Sequence, residues 1–187
     1  LSELRPAFSR SRTFQWACLI ILGFCIRRDV AGVTSFVRAF NLRPSSYQAL
    51  LDSFRSKALD LDKLNQLWLK LCLKLFKPVR VNGRIVFACD GIKAPKEGRR
   101  MPSLKLCHQS STNNSKPEYV MAHSMQMLAL MVEGFGNKIS AILIGARIHE
   151  GLKWSNRDHR TLLDKMNEMF KNIVENSGEK MGHPTSS

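Results

Sequence analysis

The sequence predicts an α+β fold in which helices come first, three main strands follow and a helix closes the chain. Three observations predict it. Leu61, Leu64, Leu67, Trp68, Leu71, Cys72 and Leu75 recur at three- and four-residue steps, the signature of an amphipathic helix. At Asn82-Gly83 two short β-type runs meet across a dipeptide that readily supplies the positive φ of a type I′ turn. Two long Ile/Leu/Val/Met-rich stretches, Met125–Glu133 and Ile139–His149, are then joined by Gly134-Phe135-Gly136-Asn137-Lys138, which reads as a hairpin connection, although Met125–Met131 taken alone reads equally as a helix.

Taken in order, residues 1–76 read as a helical region. Phe14–Ile26 (FQWACLIILGFCI) is apolar throughout and is expected to be a buried core helix. As a helix it spans about 20 Å, short of the roughly 30 Å of a bilayer's hydrocarbon, so no membrane span is expected. The Arg27-Arg28-Asp29 that follows is not a signal-cleavage site. Asp29 is a cap for a helix carrying Val33, Phe36, Val37 and Phe40, and Ser45 or Ser46 for one carrying Leu50, Leu51 and Phe54. The second run of the hairpin, Arg84–Cys89, is continuously apolar after its arginine, which predicts a central strand buried on both faces and ending at Asp90-Gly91. Residues 91–118 read as a long basic loop. Ser155 and Asp158 resemble a capping box ahead of the stripe Leu162, Leu163, Met166, Met169, Phe170, Ile173 and Val174. The methionines at 121, 125, 127, 131, 166 and 169 read as core packing.

Composition narrows the function classes. With 44% hydrophobic residues and few glycines or prolines, the 187-residue chain is neither a disordered tail nor a fibrous protein. Its five cysteines are odd in number, mostly in apolar segments, and lack any CxxC pair, which fits a reducing cytoplasm better than a disulfide framework or a zinc site. The formal charge of +14 is carried unevenly: residues 1–76 hold 12 basic and 5 acidic side chains, residues 77–157 hold 13 and 5, and residues 158–187 hold 4 and 5. The positive field therefore surrounds the sheet and its long loop and points to a polyanion, while the charge of the helical region reads equally as an ordinary solvated surface or as a DNA-binding face. The chain opens on Leu1 and closes in a polar run, Ser177–Ser187, and is expected to be a fragment.

The segment Ile85-Val86-Phe87-Ala88-Cys89-Asp90-Gly91-Ile92-Lys93, with Lys96-Glu97-Gly98-Arg99-Arg100-Met101-Pro102 after it, resembles the DDE transposases of bacterial insertion sequences. The resemblance continues through Lys105–Ser111, Lys116-Pro117-Glu118-Tyr119 and Ala146–Gly151, and upstream through Val33–Arg38 to Leu51. It implies a domain similar to ribonuclease H, which begins with a three-stranded antiparallel meander. On that reading residues 1–76 are a helical N-terminal region, 77–177 an incomplete ribonuclease H-like domain and 178–187 a polar tail.

The same resemblance implies that Asp90 is the first catalytic aspartate and a ligand of Mg²⁺, with Mn²⁺ as a substitute. It implies that Lys93, Lys96, Arg99, Arg100 and Lys105 contact DNA, that the complete enzyme cleaves phosphodiesters and transfers strands at transposon ends, and that it works in the cytoplasm on the nucleoid, as a homo-oligomer or not, with no small-molecule substrate. The family's second aspartate and its glutamate lie further along than Ser187. Glu150 follows the third strand and is no substitute, and Ala122 stands before His123 where the family commonly has glycine. The isolated chain is therefore expected to bind DNA through charge and to cleave nothing; the alternative is a non-catalytic DNA-binding or regulatory remnant.

Overall fold

A computed structural model describes residues 1–29, 32–96, 101–108, 118–149 and 160–175. The chain is α+β, with helices and antiparallel sheets. It forms two compact units, Leu1–Leu67 and Trp68–Ser187, divided inside one helix.

In the first unit a 3-10 helix, Ser2–Ala7, leads to α1 (Ser11–Ile26), α2 (Val33–Ala39), α3 (Ser46–Phe54) and the start of α4 (Leu61–Leu75). The ends of this unit are tied by main-chain bonds from Ser9 N to Ala58 O (2.8 Å) and from Asp60 N to Ala7 O (2.9 Å). Its buried residues include Leu4, Phe8, Phe36 and Leu50. Gly23 lets α1 meet α2 closely: a methyl group there would lie 2.4 Å from Phe36 Cδ1.

Two expectations are corrected in this unit. The Phe14–Ile26 stretch is a helix but not a buried one, since Gly23 is its single buried residue and Leu22, Phe24 and Ile26 are more than half exposed. Asp29 does not cap α2, whose N-cap is Gly32 at φ 65°; it pairs instead with Arg38 at 2.8 Å. Asp60 does the capping at α4, where its Oδ1 accepts from Lys63 N at 3.0 Å.

The second unit takes the rest of α4. A small hairpin, β1 (Arg80–Val81) and β2 (Arg84–Ile85), turns on Asn82 and Gly83 at φ 50° and 76°, as their sequence requires. The main sheet holds β3 (Phe87–Pro95), β4 (Lys105–His108), β5 (Tyr119–Glu133) and β6 (Ile139–His149), all antiparallel. β5 is central: β3 pairs along 122–130 on one side, while β6 pairs along 124–133 and β4 along 119–122 on the other. A bulge sets Ile144 as the extra residue on β6 between the Leu128 and Ala129 pairings.

Alternation along β5 decides where the core sits. Its even-numbered residues from Ala122 to Val132 are all buried, whereas the odd-numbered ones between them are half exposed. Leu128, Leu130 and Val132 join Leu69 and Cys72 of α4, Ile144 of β6, Met169 and Ile173 of the closing helix α5 (Leu162–Ile173), and its C-cap Val174 in one cluster. Phe87 meets Phe170 edge-on at 5.7 Å, and Trp68 Nε1 donates to Leu143 O at 2.9 Å.

The second unit also corrects the sequence reading. The strand holding Asp90 neither lies centrally nor stops at Gly91; it runs to Pro95 along one side of β5, with Ala88, Cys89, Asp90 and Gly91 exposed. Part of the expected loop 91–118 is sheet, being the end of β3 and the whole of β4. Ser155 and Asp158 lie outside the described residues; the capping box that is seen is Thr161 with Asp164. Met169 is buried, but Met125, Met127 and Met131 line the half-open face of β5.

Candidate nucleic-acid interface around Asp90

Asp90 sits in the middle of β3, the first strand of the β3–β5–β6 meander. It pairs with Met127, which in turn pairs with Ala146, and paired residues share a face. Asp90 therefore stands on the sheet face opposite the helix-covered core. Its neighbours there are Ala88 and Ile92 along its own strand, and Met125, Met127 and Ala129 on β5.

The backbone around Asp90 sets which groups face β5. Val86 O accepts from Met131 N at 3.1 Å and Lys96 N donates to Met121 O at 2.9 Å, so the even-numbered residues of β3 turn their main-chain groups toward β5. The odd-numbered ones turn theirs away from β5. The outward N–H of Gly91 is taken up by Asp90 itself, through Oδ1 at 2.7 Å. On the core side Gly91 faces Gln126, and a Cβ at Gly91 would come within 3.1 Å of Gln126 Nε2.

The cations named from sequence are not all on the side of Asp90. Lys93 pairs with Ser124 and Lys105 with Ala122, both on the core-side face, and the Lys93 ammonium donates to His108 O. Lys96 is exposed just beyond the end of β3, where its amide closes the last ladder bond. Arg99 and Arg100 lie outside the described residues, as does Glu150. The strand thus carries one carboxylate on one face and its lysine on the other.

A polar cluster that the sequence reading did not find lies on the core-side face near the end of β6. His149, Ser124 and Gln126 are all buried. Lys105 Nζ lies 2.6 Å from His149 Nδ1, and His149 Nε2 lies 3.0 Å from Arg160 O. A carbonyl only accepts, so the imidazole proton sits on Nε2 and Nδ1 presents its lone pair to the ammonium. Burial lowers the Lys105 pKa below the usual lysine value, with nearby Cys107 acting the other way. The two partners are 44 residues apart, and no local pattern announces the pair.

Other titratable groups follow their surroundings. Burial pushes the Cys72 thiol up to about 11, and burial also raises that of Cys89. Hydrogen bonds from the Thr161 backbone and side chain hold Asp164 below the ordinary carboxylate value.

The donor set bears on the metal that the resemblance implies. Among the described residues no three His, Cys, Asp or Glu side chains come together as a metal-binding group. Asp90 is a single oxygen donor, and one donor does not fit a two-metal centre, so no chemical step on this chain is assigned to a metal. Nor does any helix among the described residues have the length and apolarity to cross a membrane. No family model, curated protein or solved structure matches the chain.

Proposed function

We propose that this chain is the DNA-binding N-terminal portion of a transposase of the DDE type, or a truncated copy of one, with Asp90 as its one catalytic-type carboxylate. The observation that carries the reading is the place of Asp90: exposed, on the first strand of an antiparallel meander, with a helix packed on the opposite face. A surrounding segment with 13 basic and 5 acidic residues supports DNA as the partner. In the complete enzyme Asp90 would supply one ligand to Mg²⁺ or Mn²⁺ and the reaction would be phosphodiester cleavage with strand transfer, in the cytoplasm on the nucleoid. The lone carboxylate favours a second reading, a non-catalytic DNA-binding remnant.

The test is incubation of the pure chain with supercoiled plasmid and Mg²⁺. The expected result is a retarded but uncut plasmid. Mg²⁺-dependent nicking that Asp90→Ala abolishes would contradict the proposed inactivity of the chain, and absence of any retardation at low salt would contradict the DNA partner. The coding sequence downstream separates the two readings: an in-frame or frameshifted continuation carrying the missing Asp and Glu identifies a portion of an enzyme, and unrelated sequence identifies a remnant.

A further inference from the structure

We propose that Lys105 and His149 form a nucleophile–base pair, and that Lys105 is a modification site which takes an acetyl group directly from a small activated donor, an acyl phosphate or a thioester. The pair belongs to the polar cluster on the core-side face of the sheet. Lys105 pairs with Ala122 and His149 with Ser124, neighbours on that face of β5, so β4 and β6 deliver the two side chains end to end along one strand. Both are therefore set by strand pairing rather than by a loop.

The contacts have the order that an activated nucleophile needs: the nucleophile, its base, and a third group that orients the base. Lys105 Nζ lies 2.6 Å from His149 Nδ1, and on the far side of the ring Nε2–H donates to Arg160 O at 3.0 Å. A carboxylate partner would keep the ammonium charged. Among the described residues no carboxylate pairs with Lys105, and its acceptor is a nitrogen lone pair that can take a proton away. Burial also favours the neutral amine.

In the step, the ammonium gives one proton to Nδ1 and the resulting amine forms an N–C bond to the acetyl carbonyl carbon. The C–O bond of an acyl phosphate or the C–S bond of a thioester breaks, and its electron pair leaves with phosphate or thiolate, which takes the second proton from the nitrogen. A neutral amide remains on Lys105, and Nδ1 returns its proton to water. Lys105 is half-buried beside the wholly buried Ala122, which limits the acyl group to a small one. Charge does not exclude an anionic donor. Asp164 and Glu168 of α5 and Glu118 before β5 are set against Lys93, Arg147, Arg160 and Lys165 as well as Lys105 itself.

The experiment incubates the full chain with acetyl phosphate or with acetyl-CoA. Unreacted lysines are then blocked in denaturant with deuterated acetic anhydride, and peptide mass spectrometry reads the acetylated fraction at each lysine. Lys105 is expected to react about tenfold or more faster than the exposed Lys57, Lys63, Lys70 and Lys96 with at least one donor, and the donor that does so names the source. His149→Gln keeps a hydrogen-bond donor for Arg160 O and an acceptor for Lys105 but has no basic nitrogen, and it should bring Lys105 down to the rate of those exposed lysines. Urea should do the same to wild type, which tests the pair even where the variant fails to fold; circular dichroism reports folding. The proposal is overturned when Lys105 reacts no faster than the exposed lysines with both donors, when its excess persists in urea, or when it persists in folded His149→Gln.

Discussion

Replacing Leu128 with alanine is expected to destabilise the second unit by about 3 kcal/mol, within the usual range of roughly 2–5 kcal/mol for a fully buried leucine. Leu128 is completely buried where β5 meets α4 and α5, and a cavity there touches both helices. For a chain of this size the loss lowers the melting temperature by roughly 6–12 °C. Met127, one residue earlier, points to the half-open face, and Met127→Ala should cost less than half as much. Thermal denaturation of the two variants checks the alternation directly. Equal losses, or a larger loss at Met127, would mean that the second face of the sheet is also packed.

Next in size is His149→Ala, expected to cost about 1–3 kcal/mol because it leaves the Arg160 carbonyl and the Lys105 ammonium without their partner. Thermal denaturation of His149→Ala beside wild type measures that loss, and His149→Gln, whose amide can still donate to the Arg160 carbonyl, is expected to lose less. On the acid side the depressed pKa of Asp164 contributes stability that is lost as the solution falls below the ordinary value of 3.8.

On the alkaline side two groups oppose each other. The folded chain releases the Lys105 proton before the unfolded chain does, so stability rises as pH climbs toward 10.5. The Cys72 thiol is raised to about 11, so the unfolded chain ionises first above 9.0 and stability falls over that window. Melting temperatures of wild type and Cys72→Ala across the alkaline range decide which group dominates; the same alkaline dependence in both would remove Cys72 from it.

Local chemistry was legible and long-range pairing was not. The α4 stripe, the Asn82-Gly83 turn and the Ile139–His149 strand follow from spacing and turn residues, because each is settled within a few positions of the chain. The strand through Asp90 was misjudged in extent and place. Continuous apolar character implied burial on both faces, but Ala88 and Cys89 lie exposed on a strand that, among the described residues, pairs only with β5, and Gly91 lies inside the strand, opposite Gln126. Apolarity likewise made α1 a core helix, although a sequence cannot say whether the covering surface is supplied by its own chain.

The cationic set shows the same division. Lys93 could be placed near Asp90 in sequence, but period-2 alternation sends side chains three residues apart on a strand to opposite faces. Once the strand is known to run on to Pro95, that separation follows without further information. Lys105 and His149 meet only because β4 and β6 pair with the same side of β5, a fact of topology with no local signal.

The affinity of the 187-residue chain for a short DNA duplex, measured against salt concentration, tests the proposed function most directly. The expected result is a linear fall of log affinity with log salt, with Lys96→Ala reducing the slope by about 0.9. An affinity indifferent to salt, or a slope unchanged when Lys96 is removed, would contradict the proposed DNA partner.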